Sequence, residues 1–469
     1  DPDDVQAVDF IQKQMGSNYQ LFIATKDNIL QVLDNYRDGV AEELDDVIAI
    51  QEEDDADKEE VREEDISEDS PIAKTVNLIL EYAIRSGASD IHIEPREENL
   101  QVRYRIDGVL QEANKLPRNV MGALISRIKI LSNLKIDERR VPQDGRFKIT
   151  VAGKKYALRV STLPITEGEK IVMRVLDESN KALTLEELGY WGYSLEKINN
   201  AISQPYGMML VTGPTGSGKS TSLFSCLTLL NKPDVNISTV EDPVEYKIPG
   251  ANQTQVNPTA GMTFIAGLRA LLRQDPNIIM VGEIRDGDTA KTAIQASITG
   301  HLVLSSFHAN STAAAFSRMI DLIGTNPIFS SSIRMVMAQR LVRSLSENKR
   351  EFTPDETTRQ FVLSKLEGLP EEVIYDQLGF NLDPNNFTLF EAVPSGLDDP
   401  FGYKGRKVIM EQLTVSEEVQ KYIRGDVEDI NTDAIEKTAR KAGLITLEQK
   451  GILACLRGET TLDEISRVI

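Results

Sequence analysis

The sequence predicts an α/β protein: a central, largely parallel sheet, preceded by a smaller α+β domain and followed by a helical C-terminal region. Two observations carry this reading. From Leu188 onward, short apolar runs (MMLV at 208–211, ISTV, NIIMV, HLVLSS) alternate with helical segments (SLFSCLTLL, GLRALLR, TAKTAIQAS). That is the pattern of strands buried on both faces between crossover helices. Ahead of them the runs alternate with period two, as half-buried antiparallel strands do.

Residues 9–37 read as a short helix, a β-like LFIAT run and a second amphipathic helix with Ile29, Leu30, Val32 and Leu33. This is too little for a complete domain, so 1–40 is expected to be the remnant of one. Residues 41–70 hold 16 acidic residues against Lys58 and Arg62, and such like charge predicts a self-repelling, disordered linker. Ser70 and Pro71 form an N-cap with proline at the first helical position. Val76, Leu80, Ala83 and Ile84 follow at helical spacing, and Gly87 ends the helix. IHIEP and LQVRYRIDGVL read as a β-hairpin, Arg118–Leu134 as a helix, and GRFKITV, KKYALRVS and EKIVMRVL as strands. Together they make an α+β domain over 71–178. The parallel-sheet domain is expected over 188–345. Residues 346–395 are polar and irregular, and 396–469 resume helical spacing.

A net charge of −21 over 469 residues argues against a nucleic-acid coat. Residues 41–70 account for −14 of it, so the other 439 residues carry only −7. With Cys226 and Cys455 alone, a disulfide framework and a four-thiolate zinc site are excluded, which fits a reducing cytoplasm. The longest apolar run is five residues, Ile452–Leu456, far short of the roughly 20 that a membrane helix needs. No cationic, apolar leader opens the chain, which begins at Asp1, and a processed or truncated product is expected.

The sharpest motif is Gly213-Pro214-Thr215-Gly216-Ser217-Gly218-Lys219-Ser220, with Thr221 following, directly after an apolar strand and directly before a helix. Glycines let such a loop wrap with its N–H groups turned towards phosphate oxygens, and the helix N-terminus adds its positive end. Lys219 is expected to hold the β/γ-phosphates of ATP, and the Ser220 hydroxyl to ligate Mg²⁺. A Gly-rich turn with a chance lysine is the bland reading; the flanking strand and helix argue against it. The strand IIMV, ending at Gly282-Glu283, would set a carboxylate beside the metal, so Glu283 joins Ser220 as a metal-site residue. Glu241, after ISTV in the run VEDPVE, is placed to orient and deprotonate an attacking water; the competing reading is a solvated acidic turn.

Two of the three histidines, His301 and His308, flank LVLSSF. His301 reads as a hydrogen-bonded strand-start residue. His308 lies at the end where active-site groups of an α/β sheet gather, and is expected to sense the γ-phosphate. Arg269 and Arg273 sit four apart on one helix face, Arg103 and Arg105 share one side of a strand, and Arg118 starts the next helix. They become candidates only because phosphate charge in an oligomeric NTPase is commonly met by an arginine from a neighbouring domain or subunit.

The runs ASDIHIEP, RIKILSNLKIDERRVPQDGR, RVSTLPITEGEKIVMRVLD, GPTGSGKST, STVEDPVEY, LRQDPNIIMVGEIRD and TGHLVLSSFH together resemble the secretion-superfamily ATPases, and within them the type II secretion and type IV pilus assembly ATPases. The resemblance covers about residues 71–345 and resumes in RKAGLITLEQKGILACLRGETTLDEISRV; residues 9–37 look like the end of the family's N-terminal docking domain. It implies a RecA-like P-loop domain behind a PAS-like α+β domain, assembled as a homo-hexamer with ATP and Mg²⁺ between the two. It implies that Glu241 activates water, Glu283 closes the Walker B strand, His308 senses the γ-phosphate, and Arg103, Arg118, Arg269 and Arg273 surround the phosphates. Which of Glu241 and Glu283 is the principal base stays open. It further implies a protein at the inner face of the cytoplasmic membrane, reaching the bilayer only through an inner-membrane platform protein whose turning drives pilin subunits into a filament. Assembly is favoured over retraction, because retraction ATPases are usually shorter.

Most assembly ATPases carry a CxxC…CxxC zinc module after the LVR segment. Here Leu341-Val342-Arg343 is followed by SLSENKREFTPDETTRQF without cysteine, so no zinc is expected and 346–395 must fold by packing alone. The family's Thr-Leu-His-Thr becomes Ser306-Phe307-His308-Ala309, and the histidine survives. A hexameric nucleic-acid translocase would use the same P-loop chemistry. It should show a basic, aromatic-interleaved track, and none appears. A nucleotide-binding scaffold without turnover is disfavoured because Lys219, Glu241 and Glu283 are all present.

Overall fold

The computed structural model describes residues 70–177, 183–395 and 401–469, and the chain divides into two compact units, residues 1–179 and 180–469. The expected docking remnant and the acidic linker up to residue 69 lie outside the described residues.

In the first unit the Ser70 hydroxyl accepts from the Ala73 N–H at 3.1 Å and so caps α1 (Pro71–Arg85). Next come β1 (Asp90–Pro95), β2 (Asn99–Ile106) and β3 (Val109–Pro117). Asp107 and Gly108, both at positive φ (47° and 83°), make a two-residue hairpin that splits the run LQVRYRIDGVL into two strands. The following helix, α2 (Met121–Leu131), is shorter than the sequence suggests: Arg118–Val120 is a 3₁₀ turn, and Asn133 has φ of 60°. Strands β4 (Gln143–Val151), β5 (Lys154–Ile165) and β6 (Gly168–Asp177) complete an antiparallel sheet in the order β3-β2-β1-β6-β5-β4. One face packs under both helices through Val76, Leu80, Leu124, Ile128, Ile91 and Ile93. Alternation turns Asp90, Glu94, Arg103 and Arg105 to the other face.

The second unit runs α3 (Gly192–Ile202), β7 (Gly207–Thr212), α4 (Lys219–Leu230), β8 (Ile237–Glu241), β9 (Asn252–Gln255), α5 (Phe264–Leu271), β10 (Ile278–Val281), α6 (Gly287–Ile298), β11 (Leu302–Phe307), α7 (Thr312–Ile323) and β12 (Ile333–Leu345). It continues with β13 (Lys349–Phe352), α8 (Glu356–Leu366), α9 (Glu371–Leu378), β14 (Leu389–Ala392), β15 (Tyr403–Thr414), α10 (Glu417–Arg424), α11 (Thr432–Lys441), α12 (Leu447–Leu456) and α13 (Leu462–Val468). The main sheet has the order β15-β12-β7-β11-β10-β8-β9, with every neighbouring pair parallel except β12 and β15. The core on one face includes Leu268, Ala293, Phe316 and Ile435, and that on the other Tyr190, Ile198, Leu223 and Leu227. All parallel strands therefore end on one edge, where crossover loops collect.

Two sequence expectations change. Residues 346–395 are not irregular. They form two helices and the ribbon β13–β14, and Val362, Leu366, Leu378, Phe387 and Leu389 pack against Leu453 and Ile465. The segment 396–469 is not purely helical either: β15 pairs along β12 from Met335↔Thr414 to Leu345↔Tyr403, which makes it part of the main sheet.

Candidate functional site

β7 delivers Gly213–Thr221 to the carboxyl edge of the sheet, where the loop runs into α4 at Lys219. Gly213, Gly216 and Gly218 all have positive φ. A Cβ on Gly213 would stand 2.5 Å from Ser217 Oγ and 2.7 Å from the Gln339 carbonyl oxygen, so the close wrap admits only glycine there. Lys219 curls back over the loop, its ammonium donating to the carbonyls of Gly213 (2.8 Å) and Pro214 (2.9 Å). Burial lowers its pKa to about 8; Glu283 opposes the shift and Arg340 adds to it. The Ser217 hydroxyl is buried without a hydrogen-bond partner, and Pro214, Thr215, Gly216 and Ser220 are exposed. A loop closed on its own lysine, with an orphaned hydroxyl inside and a helix N-terminus behind it, suits a phosphate chain.

The next two strands bring carboxylate and imidazole to the same edge. Glu283 lies two residues past β10 and His308 directly after β11, and because those strands are parallel neighbours His308 Nε2 comes within 3.1 Å of Glu283 Oε2. Arg285 also pairs with Glu283 and reaches to 3.8 Å from Asp242. The loop carrying His308 is tied down at three points. The Ala309 N–H donates to Thr212 Oγ1 at 2.8 Å, Arg318 to the His308 carbonyl at 2.9 Å, and Arg340 to the Asn310 carbonyl at 3.0 Å. His301, at the opposite end of β11, contacts the Ala296 carbonyl through Nδ1 at 2.9 Å.

Glu241 ends β8, one strand beyond β10. It is 3% exposed and accepts from Thr239 Oγ1 at 2.6 Å and Gln253 Nε2 at 3.0 Å. Burial pushes its carboxyl above the ordinary range, the two neutral donors oppose this in part, and Glu245 adds to it. A Cβ on Gly282 would stand 3.3 Å from Glu241 Cα, so the β8 and β10 ends lie close together.

The arginines are not gathered in the same way. Arg269 lies on α5 and is exposed; Arg273 lies two residues beyond the helix end, its Nη1 donating to the Arg269 carbonyl at 2.9 Å. α5 carries the chain from the carboxyl edge back to the start of β10, and the neighbouring Gln274 carbonyl accepts from Asn236, just before β8. Arg273, beyond the helix end, therefore stands towards the amino edge of the sheet. Arg103 and Arg118 belong to the first unit. There Arg103 donates to Glu94 at 2.9 Å, and Arg118 to the carbonyls of Arg96 (2.6 Å) and Glu97 (2.7 Å) and to Glu167 (3.2 Å). Arg105 donates to the Gly108 carbonyl at 3.0 Å.

Among the described residues no group of three or more His, Cys, Asp and Glu side chains forms a metal cluster. Ser220 and Glu283 supply oxygen donors of the kind a hard cation takes, and two donors suit Mg²⁺ that shares its shell with phosphate oxygens and water. Among the described residues no helix is long and apolar enough to cross a membrane.

The family described as Type II/IV secretion system protein matches residues 65–467. The chain belongs to that family. Among the secretion-system relatives, Type II secretion system protein E of Xanthomonas campestris pv. campestris is 39% identical over 482 residues, covering 100% of this chain and 80% of that one. Type IV pilus assembly ATPase PilB of Myxococcus xanthus is 39% identical over 472 residues, covering 99% and 80% respectively. The X-ray structure of the Legionella pneumophila ATPase DotB matches with a TM-score of 0.59 at 21% identity, over 83% of this chain and 94% of that one, a likeness of fold.

Sequence reading missed Tyr190, Gln339, Arg340, Arg285 and Glu411. Arg285 stood two residues from Glu283 in GEIRD, and Gln339-Arg340 interrupts an otherwise apolar run, which are usable signals. Tyr190 and Glu411 carry no local signal. Glu411 caps two helices at once, accepting from the N–H groups of Thr312 (2.8 Å) and Leu447 (3.0 Å), and only the tertiary fold joins them.

Proposed function

We propose that this family member is the hexameric ATPase that drives type IV pilus or type II secretion pseudopilus assembly, working on an inner-membrane platform protein from the cytoplasmic side. The observation that carries the reading is the phosphate loop folded around Lys219, beside the Glu283–His308 pair, with the buried Glu241 ending β8, the strand next to β10. The names of the relatives, a type II secretion protein E and a type IV pilus assembly ATPase, supply the machine.

In this mechanism Lys219 exchanges its two loop carbonyls for the β- and γ-phosphates of ATP, gaining charge-assisted bonds in place of neutral ones. Ser220 and Glu283 hold Mg²⁺, which neutralises charge on the phosphates when bound. Glu241, whose proton affinity is raised by burial, orients the attacking water and takes its proton. His308 meets the γ-phosphate and, through its contact with Glu283, reports its presence or loss. Arg269 and Arg273 are assigned to the phosphates of a neighbouring protomer, and Arg103 and Arg118 are given the same phosphate-facing role. The test is phosphate release by the assembled chain with ATP and Mg²⁺. Turnover that disappears in Lys219→Ala is expected; turnover unchanged in that variant would overturn the reading.

A further inference from the structure

The phosphate loop is wrapped around one side chain that no motif includes. Gln339 is fully buried on β12, one residue beyond Ala338, which pairs with Thr212 at the end of β7. It therefore lies alongside the first residue of the loop. Its main-chain carbonyl oxygen stands 2.7 Å from where a Cβ on Gly213 would be, and its side-chain amide nitrogen 3.2 Å from where one on Gly218 would be. That nitrogen donates to the Ser217 carbonyl at 2.7 Å. The amide oxygen accepts from the Tyr190 hydroxyl at 3.1 Å, and Tyr190, also fully buried, lies 2.9 Å from Ser222 Oγ in the first turn of α4.

We propose that Gln339, oriented by Tyr190, is the positioning residue of the phosphate loop. The physical step is in the peptide unit between Ser217 and Gly218. That unit is planar and trans, so its C=O and N–H point in opposite directions. Holding the Ser217 carbonyl towards β12 turns the Gly218 N–H away from β12, as a donor for phosphate. Both ends of the Gln339 amide are used, so the side chain has one satisfied orientation and transmits it from Tyr190 to the loop. The benefit is preorganisation: the loop is set before ATP arrives and loses less freedom on binding.

This rests on reading residues 213–221 as an ATP site, and the experiment separates the two. A fluorescent ATP analogue is titrated into the assembled chain, and steady-state phosphate release gives KM and kcat. Gln339→Leu is expected to raise both Kd and KM about tenfold, with kcat at saturating ATP changed by less than about twofold. Tyr190→Phe, which removes one oxygen and keeps the packing, is expected to raise them about threefold, and the double variant to be no worse than Gln339→Leu alone. Unchanged Kd and KM in Gln339→Leu would overturn the proposal, whatever happens to the melting temperature. Should that variant not fold, unchanged values in Tyr190→Phe overturn it. Lys219→Ala is measured alongside: if it binds the analogue normally, the ATP reading itself fails.

Discussion

Glu94, on the six-stranded sheet, and Glu241, on the seven-stranded sheet, are both almost fully buried carboxylates, at 3% exposure each. Their surroundings push them in opposite directions. Burial works against ionisation of Glu94, but Lys170 and Arg103 overcome it and hold the pKa at about 2; Arg96 also pairs with it at 2.7 Å. Glu241 has only a hydroxyl and an amide for donors, so burial prevails and its pKa rises. A carboxylate saturated by cations stays ionised through the working range and serves structure. One held by neutral donors is poised to exchange a proton, which is the signature of a working base. On the first sheet Arg103 pairs with Glu94, and Arg105 and Arg174 with Asp90; on the second, Glu283 and His308 pair at the carboxyl edge.

The largest expected effect tests that edge. Lys219→Ala should reduce phosphate release to background, a loss of roughly a thousandfold or more, with ATP binding weakened at least about a hundredfold. Next, Glu94→Gln should destabilise the first unit by about 2 kcal/mol, read from thermal unfolding. The pH dependence sharpens this. Because the folded pKa of Glu94 is about 2 against an ordinary 4.5, its contribution is fully present above about 4.5 and is lost as pH falls towards 2. The melting temperatures of the wild type and Glu94→Gln should therefore converge in acid; a gap that persists at pH 2 would contradict the ion-pair account. The smallest effect concerns Lys219. With its pKa lowered to about 8, the ammonium that phosphate requires is lost above that value. ATP affinity should weaken about fivefold between pH 8 and pH 9, and a flat profile there would break the assignment.

Much of this was legible. Capping chemistry at Ser70-Pro71, period-two alternation in β4–β6 and the apolar runs of β7, β8, β10 and β11 are local signals, and local signals survive in sequence. Gly213–Thr221, Glu241, Glu283 and His308 can be grouped as candidates from sequence because parallel strands end on one edge, so residues just past each apolar run are brought to that edge whatever the crossovers contain. β12 and β15 were missed for a physical reason: most of their central residues are buried on both faces, which erases period two. The helices α8 and α9 were hidden by a polar composition that exposes most of each surface. The arginines show the remaining limit. A four-residue spacing was read as one helix face, but α5 stops at Leu271, and spacing says nothing about which edge of a sheet a helix end reaches.

The claim on which the account turns is that Glu241, poised by burial and neutral donors, deprotonates the attacking water. The direct measurement is single-turnover cleavage of bound ATP by Glu241→Gln, with binding of the fluorescent analogue recorded on the same preparation. The account predicts binding within about threefold of wild type and cleavage slowed by about a hundredfold or more. Cleavage at the wild-type rate, with Glu283→Gln arrested instead, would show that the proton goes to the other carboxylate.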